Sequence, residues 1–401
     1  MWRHSSDFGE KDRLPDREHR VRAKLFSRSS VSVLWYGAFL IVATGVLLAQ
    51  YSPGSFHADA KAGEKVWKTG CVACHGADGR GAPQTMTGFK RPDTFPDFTR
   101  CDQTTPEYDL AYKDVIVNGG PSRGFSQIMP AFGKALTDKE INDVIAYMRG
   151  FCTNPHWPRG ALNLPRALVE EKAFPEDEEV LSSVTNVSGA PGVEIHEIHE
   201  QRFGVHNQIE VDTPLLFQHQ NQTWYGGLGD ITFGLKREMF SSLRTGSILA
   251  LQGEISVPTG NYSRGLGAGT TSFGTFATFG QLFRTNTFIQ SQFGADLPVD
   301  TTKSPQAIFW YTAIGQSLAP NHGLGRLWSP MTEFLLNRDL ATGATNNWDV
   351  LPEVQVTISR RQHIRGNIGL RIPMTNTTGR QKQVMFYLLW DWADGKLTEG
   401  W

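Results

Sequence analysis

The period of the hydrophobic pattern changes about halfway along the chain. Before residue 153, one run places apolar residues at i, i+3, i+4 and i+7, which predicts an amphipathic helix: Ile141, Val144, Ile145 and Met148. Thr137 and Glu140 stand where a capping box would begin this helix. From about residue 193, apolar and polar residues alternate instead, as they do in strands. We therefore expect an all-α domain followed by an all-β domain.

The second half contains about ten alternating segments, each about ten to twelve residues long. That length suits a tilted strand that crosses a bilayer. Arginines lie on the polar faces, and several tryptophans stand near strand ends, as interfacial girdles require. An antiparallel membrane barrel over residues 193–401 is the favoured fold, and a soluble β-sandwich is the alternative. The predicted strands are 203–213, 228–239, 248–257, 273–283, 287–297, 307–318, 327–337, 350–359, 363–372 and 382–391.

Residues 1–60 have the features of an export leader. The segment 31–50 has no charge, follows a stretch rich in arginine, and precedes Ala58-Asp59-Ala60, a small-x-small cleavage pattern. A cleaved signal peptide and a retained inner-membrane helix both fit twenty apolar residues. In either case the basic flank keeps the N-terminus in the cytoplasm, and the chain after residue 60 lies outside it. We expect cleavage near Ala60.

The charge balance excludes one large class of partner. The 401 residues carry 39 Lys+Arg and 40 Asp+Glu, whereas a nucleic-acid-binding protein needs a basic surface. All four cysteines lie before residue 153, so any chemistry that needs sulfur belongs to the first domain. The sequence offers neither a nucleophile triad nor a phosphate-binding loop, and no catalytic residue is assigned.

Residues 71–75 form a C-x-x-C-H sequence, the attachment pattern of c-type haem. Cys71 and Cys74 would bond to the porphyrin vinyl groups, and His75 would supply the proximal iron ligand. The main alternative, a redox C-x-x-C of the thioredoxin type, would need a strand before the motif, whereas residues 61–73 read as helix. Met129, in a loop before the last helix, is the expected second axial ligand. Met86 follows His75 too closely to reach the opposite haem face.

These motifs together resemble a class I cytochrome c domain over residues 61–152. The shared features are the C-x-x-C-H-G sequence, the Met-Pro-Ala-Phe-Gly loop at 129–133, and a terminal helix that starts T-D-x-E-I and contains Tyr147. The resemblance implies an all-α fold around one haem c, with His75 and Met129 as iron ligands.

The two remaining cysteines are Cys101 and Cys152. In an oxidising compartment an even leftover pair most simply forms a disulfide. This bond would join the loop after the haem-binding helix to the end of the terminal helix. Two free thiols, or ligation of a second cofactor, are the alternatives.

Residues 153–192 contain five prolines and an acidic run from 170 to 179. Proline favours extended backbone and charge favours solvation, so we expect a semi-rigid linker that lies over the first domain.

Several strand sequences resemble the outer-membrane barrel family first described from phenol-degradation gene clusters, a group of transporters. The matching motifs are Gly-Leu-Gly-Asp at 227–230, Val-Pro-Thr-Gly-Asn-Tyr at 257–262 and Gly-Ala-Gly-Thr at 267–270. His196, His199 and His206 suggest a metal site. His196 and His199, however, would point to opposite faces of a strand, which favours a polar strand lead-in.

The leading functional hypothesis is an electron carrier held at the outer membrane by its own barrel, with redox proteins or an external donor or acceptor as partners. The haem domain would then lie in the periplasm. A periplasmic cytochrome tethered to the inner membrane is the fallback. Two other functions stay open: oxidation of an external reductant such as Fe(II), and transport through a barrel whose cytochrome senses or gates.

Overall fold

A computed structural model of the protein describes residues 58–154, 156–220, 222–283, 286–318 and 327–401. A helical domain is followed by a closed antiparallel barrel, which confirms the predicted two-domain order. The predicted leader and its apolar segment 31–50 lie outside the described residues. Within them, no helix is both long and apolar enough to cross a membrane.

The helical domain contains six short α-helices. The first continues through a π-helical turn, Trp67–Cys71, directly into the second. The last has the predicted capping box, in which Thr137 Oγ1 accepts from the Glu140 amide and the Glu140 carboxylate accepts from the Thr137 amide. The helices are α1 Ala60–Val66, α2 Val72–His75, α3 Gln84–Thr87, α4 Cys101–Thr104, α5 Asp109–Asn118 and α6 Asp138–Arg149.

Helices α1 and α6 cross at very short range, and a glycine makes this possible. A Cβ at Gly63 would lie 1.9 Å from the backbone oxygen of Asp143, so any larger residue would separate the two helices. The apolar face of α6 packs into this crossing with Trp67. The buried core consists of Trp67, Phe98, Ile141, Val144, Ile145 and Met148.

Thirteen strands among the described residues form the barrel. Strand β1 pairs with β2 and β13, and the pairing of β2 with β3 closes the sheet. Strands β4 and β5 pair with successive halves of β3 and share one place in the wall, which makes a twelve-stranded barrel. The strands are β1 Glu178–Asn186, β2 Gly192–Phe203, β3 Asn207–Gln220, β4 Thr223–Leu228, β5 Ile231–Ser242, β6 Ser247–Val257, β7 Ser272–Leu282, β8 Thr287–Pro298, β9 Ala307–Gln316, β10 Trp328–Asp339, β11 Asn347–Thr357, β12 Ile364–Pro373 and β13 Gln383–Asp391.

The expected count of ten strands was too low. Strands β3 and β5–β13 correspond to the ten predicted segments, whereas β1, β2 and the short β4 were missed. Strand β2 places His196 and Glu200 on the lumen side and Glu197 and His199 on the outside, so both faces carry charge. Without contrast between the faces, apolar–polar alternation cannot reveal a strand.

The barrel wall is apolar outside, and its inner face combines buried polar side chains with an apolar cluster that packs on the plug and includes Phe309 and Leu351. Phe293 on β8 and Leu235 on β5 each expose about half of their surface on the outer face, at 57% and 54%. Side chains of Glu333, Gln208 and Lys236 face the lumen and are buried there. The apolar outer face is what a bilayer-spanning barrel requires.

Residues 162–176 fill the lumen, and we call this segment the plug. The Glu333 carboxylate accepts hydrogen bonds from the backbone amides of Leu168, Val169 and Glu170, at 3.1, 2.9 and 2.7 Å. Several charges of the plug are paired inside the barrel: Arg166, for example, contacts the Glu200 carboxylate at 2.9 Å.

The plug corrects the expectation of a solvated linker over residues 153–192. Within that range the structure places the buried plug, strand β1 and the start of β2. Lys172, for example, is almost fully buried, and its Nζ lies 3.1 Å from Glu178 Oε1. A segment rich in proline and charge has the same composition whether it lies in water or in the polar lumen of a barrel. Composition alone therefore could not distinguish a solvated linker from a plug.

We expect Glu333→Ala to release the plug. The Leu168 amide keeps a second acceptor, Glu353 Oε2 at 3.0 Å, but the amides of Val169 and Glu170 lose theirs. Each unpaired buried donor costs about 1–3 kcal/mol. Trypsin should then cut after Lys172 in the folded barrel, as detected by mass spectrometry. The control is Glu238→Ala, which removes a buried lumen carboxylate that pairs with His206 instead of the plug. Unchanged protection of Lys172 in the Glu333 variant would contradict this role of the carboxylate.

Candidate haem-binding site

One cavity of about 1010 Å³ lies between the helical domain and the end of the barrel. Cys71, Cys74 and His75 line it from the region of α2, and Met129 lines it from the loop between α5 and α6. The sequence-predicted haem residues therefore share one cavity, although more than fifty residues separate His75 from Met129. Its apolar lining includes Trp67, Phe95, Phe98, Tyr112, Ile116 and Phe132.

Aromatic rings surround the His75 imidazole. The rings of Phe95 and Phe98 have their centroids 5.1 and 5.3 Å from it. Trp67 lies 5.8 Å away and donates from Nε1 to the backbone oxygen of Gly76, the residue that ends α2. This hydrogen bond holds the end of the C-x-x-C-H helix against the domain core, so the position of His75 depends on core packing.

Burial controls the protonation state of the site. Desolvation lowers the pKa of His75 to about 4, so the imidazole is neutral at ordinary pH and keeps a lone pair for a metal. Its Nδ1 is buried and has no hydrogen-bond partner among the described residues. Burial, and then the charge of Cys74, raise the pKa of the Cys71 thiol to about 11.

The Met129 loop is attached to helix α5 by backbone hydrogen bonds. The amide of Phe132 donates to Ile116 at 2.8 Å, and the amide of Gly133 donates to Val117 at 3.0 Å. The Met129 carbonyl accepts from the amide of Gly120 at 3.0 Å. These bonds hold Met129 at the cavity without help from its side chain. Met86, in contrast, is 75% exposed and does not line the cavity.

The donor set of the cavity fits a c-type haem. The group requires two thiols next to a histidine, a second axial ligand from elsewhere, and apolar walls that exclude water. The cavity supplies two free cysteines, a neutral buried imidazole, a thioether and a ring of aromatic side chains.

Cys101 and Cys152 form a disulfide bond, as the sequence suggested, with an S–S distance of 2.06 Å. It joins the start of α4 to the segment after α6. Close to this bond, Arg149 on α6 donates from Nε to Asp109 on α5 at 2.9 Å. The disulfide and the ion pair thus connect the terminal helix to the far wall of the cavity.

The barrel contributes residues to the same cavity that sequence reasoning missed. Arg361, in the turn between β11 and β12, lies over the Phe125 ring at 4.6 Å and donates from Nη2 to the backbone oxygen of Gly124 at 3.0 Å. Phe125 belongs to the loop that carries Met129. Arg202, at the end of β2, donates to the backbone oxygen of Asp102 at 3.0 Å. Their sequence neighbours carry no motif that would link them to a haem domain.

The histidines near residue 200 do not form one site. His196 faces the lumen and contacts Asp212 at 2.8 Å, whereas His199 lies on the outer face and contacts Glu179 at 2.9 Å. The opposite orientations expected for a strand are therefore observed.

The comparisons with known proteins agree with the geometry of the cavity. Residues 60–151 match the cytochrome c family. The chain is 34% identical over 88 residues to cytochrome c-555 of Prosthecochloris aestuarii. The matched region is 21% of this chain and 81% of that protein. It is 30% identical over 123 residues to cytochrome c6 of a Picosynechococcus species, covering 29% of this chain and 97% of that protein. The chain belongs to the cytochrome c family, and this membership implies covalently bound haem c.

Solved outer-membrane structures resemble the barrel loosely. The NanC porin is 7% identical at a TM-score of 0.39, over 53% of this chain and 98% of that chain. An outer membrane channel from Pseudomonas putida F1 is 12% identical at a TM-score of 0.36, over 54% and 96%. The barrel fold is therefore assigned from its own strand pairing.

Replacing both Cys101 and Cys152 by serine should destabilise the helical domain. Their disulfide closes a sequence separation of 51 residues, and loss of such a bond costs about 2–4 kcal/mol. Guanidinium titration of the haem-containing protein, followed by its Soret circular dichroism, should show an earlier transition. The barrel bands in the far ultraviolet serve as the internal control. An unshifted Soret transition would show that the bond contributes no stability to this domain.

Proposed function

We propose that this protein is a monohaem c-type electron carrier anchored in the outer membrane by its own plugged barrel. Cys71 and Cys74 form the thioether bonds, and His75 and Met129 bind the iron. The haem domain lies on the periplasmic side, and the partners are redox proteins that dock on that side. The observation that carries the proposal is the shared cavity, which brings the C-x-x-C-H residues and Met129 together beside the barrel end.

The side chains of the cavity have the roles that one-electron transfer needs. A bound haem c supplies a couple between ferric and ferrous iron. The neutral His75 imidazole offers nitrogen to the iron, and the Met129 thioether favours the ferrous state and so raises the potential. Phe95, Phe98 and Trp67 keep water from the His75 side. No substrate bond changes, so no catalytic acid or base is required.

The apolar outer face of the barrel supports an outer-membrane location. Closed barrels with apolar exteriors are one of the two structures that span bilayers, because every backbone group pairs within the wall. The plug favours the interpretation that the barrel is a membrane anchor and not a transporter. Its residues 162–176 occupy the lumen, so the described residues offer solutes no open route.

The strand connections support a periplasmic haem domain. Strand β1 begins and β13 ends at the cytochrome end, where the turns 204–206 and 243–246 are short. One connection at this end, 317–327, is longer. At the other end, four longer loops connect strands, 258–271, 299–306, 340–346 and 374–382, and two connections, 187–191 and the two residues between β3 and β4, are short. Outer-membrane barrels have short periplasmic turns and longer extracellular loops.

Met129→His should lower the midpoint potential of the haem by roughly 0.1 V or more, because imidazole favours ferric iron more than a thioether does. Spectroelectrochemical titration measures the shift, and loss of the weak red band of methionine-ligated ferric haem should accompany it. The control is Met148→Leu, which alters a buried methionine of α6 that lines the same cavity and should leave the red band in place. If the red band survives in Met129→Ala, another residue ligates the iron.

The mature protein should fractionate with the outer membrane and lack residues 31–50. A retained inner-membrane helix and an outer-membrane barrel would place one short chain in two membranes. The chain between them is folded as the helical domain and the plug, so little of it is left to cross the space between the two membranes. Density-gradient fractionation, N-terminal mass spectrometry and heat-modifiable migration on gels test this together. Recovery of residues 31–50 in an inner-membrane fraction would instead indicate a tethered periplasmic cytochrome.

A further inference from the structure

The two halves of the loop that carries Met129 are attached differently. After Met129, two backbone amides bond the chain to helix α5. Before it, residues 124–128 bond within their own turn: the amide of Phe125 donates to Gly120 at 2.9 Å, and the amide of Met129 donates to Ser126 at 3.3 Å. Segments held mainly by local bonds open more readily than core elements. The position of the Met129 sulfur therefore depends on what holds residues 124–128 from outside the turn.

A barrel arginine supplies such support. Arg361, in the β11–β12 turn, donates from Nη2 to the backbone oxygen of Gly124 at 3.0 Å, and its guanidinium carbon lies 4.6 Å from the centroid of the Phe125 ring. A planar guanidinium can donate from its edge while its face rests on an aromatic ring. Phe125 and Met129 both line the haem cavity. Arg361 thus contacts a ring of the cavity wall that belongs to the same turn as Met129.

The segment after β13 holds Arg361 in place. The arginine side chain is 6% exposed, and its Nη1 lies 2.7 Å from Glu399 Oε2. The amide of the preceding Arg360 donates to the Gly400 oxygen at 2.6 Å. Gly400 also approaches the turn so closely that a Cβ at Gly124 would lie 2.5 Å from its Cα. The guanidinium is therefore packed and paired on the barrel side, and it restrains the turn without following its movements.

We propose that Arg361 is a positioning residue for Met129, so that the barrel helps to keep the thioether on the haem iron. This inference rests on the proposed function, in which Met129 is the second axial ligand. Residues around a metal ligand fix its orientation, and their loss weakens the metal–ligand bond. Without Arg361, residues 124–128 are freer to move and Met129 is more often away from the iron. Because a thioether raises the haem potential, the potential falls as well.

The test titrates the ferric form of the full haem-loaded protein in detergent with imidazole. Imidazole reaches the iron only when Met129 has left it, so the apparent affinity rises with the fraction of protein in which the loop is open. Arg361→Ala should bind imidazole about tenfold more tightly than the wild type, or tighter still, and its red band should weaken. Met129→Ala sets the upper limit, because it has no thioether to compete.

Two further variants separate geometry from charge. Arg361→Lys keeps the positive charge but lacks the planar fork that bonds to Gly124 over the Phe125 ring, so it should bind imidazole nearly as tightly as Arg361→Ala. Phe125→Leu removes the ring with the arginine in place, and it should tighten binding too. The control, Arg338→Ala, removes a barrel arginine that donates to Asn346 at the opposite end, and it should match the wild type.

Hydrogen exchange reports the loop without reference to the haem. The amides of residues 124–128 should exchange faster in Arg361→Ala than in the wild type, because the turn opens more often. Heat-modifiable migration on gels confirms that the barrel of each variant is folded.

Two results would overturn the inference. The first is equal imidazole affinity in the wild type, Arg361→Ala and Phe125→Leu, with tighter binding in Met129→Ala, which would show that the helical domain alone holds the ligand. The second is wild-type affinity in Arg361→Lys beside tighter binding in Arg361→Ala, which would mean that the charge acts and not the contacts. Unchanged affinity in Met129→Ala would instead contradict the proposed function, because another residue would then ligate the iron.

Discussion

The hydrogen bonds from the plug backbone to the Glu333 carboxylate are the constraint on which the rest of the arrangement depends. A chain inside a barrel has no neighbouring strand, so its amides need acceptors from wall side chains. Glu333 provides them for three successive residues, and Gln208 accepts from the amide of Glu176 at 2.7 Å. These bonds hold the plug in the lumen up to the first residue of β1. Because the helical domain directly precedes the plug in the chain, the plug also keeps that domain at the end of the barrel.

The helical domain is held at the barrel end by contacts from three directions. Gly160, just before the plug, donates to the Thr105 backbone oxygen at 2.7 Å. Arg202 and Arg361 reach the domain from the end of β2 and from the β11–β12 turn. Arg361 contacts the same loop that presents Met129, so the barrel contributes directly to the shape of the haem cavity. An electron carrier fixed in this way must be visited by its partners, because it cannot diffuse to them.

The sequence predicted those parts of the structure whose local residue pattern is compatible with a single kind of motif or element. The C-x-x-C-H run, the Thr137 capping box and the ten strands β3 and β5–β13 were all predicted, since spacing and alternation reflect covalent chemistry and burial. Strands β1 and β2 were missed because their lumen side is as charged as their outer side. The plug was missed because Lys172 and Glu176 resemble linker residues until a polar lumen surrounds them. The contact of Arg361 with the Met129 loop depends on the placement of two domains, which no local pattern encodes.

The central claim is that the haem domain is fixed at the periplasmic end of a plugged outer-membrane barrel. Its most direct test compares intact cells with cells whose outer membrane has been permeabilised, using a protease too large for porins and an antibody against residues 60–151. The account predicts that the haem domain is protected in intact cells and digested after permeabilisation, while a tag inserted in the 258–271 loop is reached in both. Digestion of the haem domain in intact cells, with the loop tag protected, would contradict it.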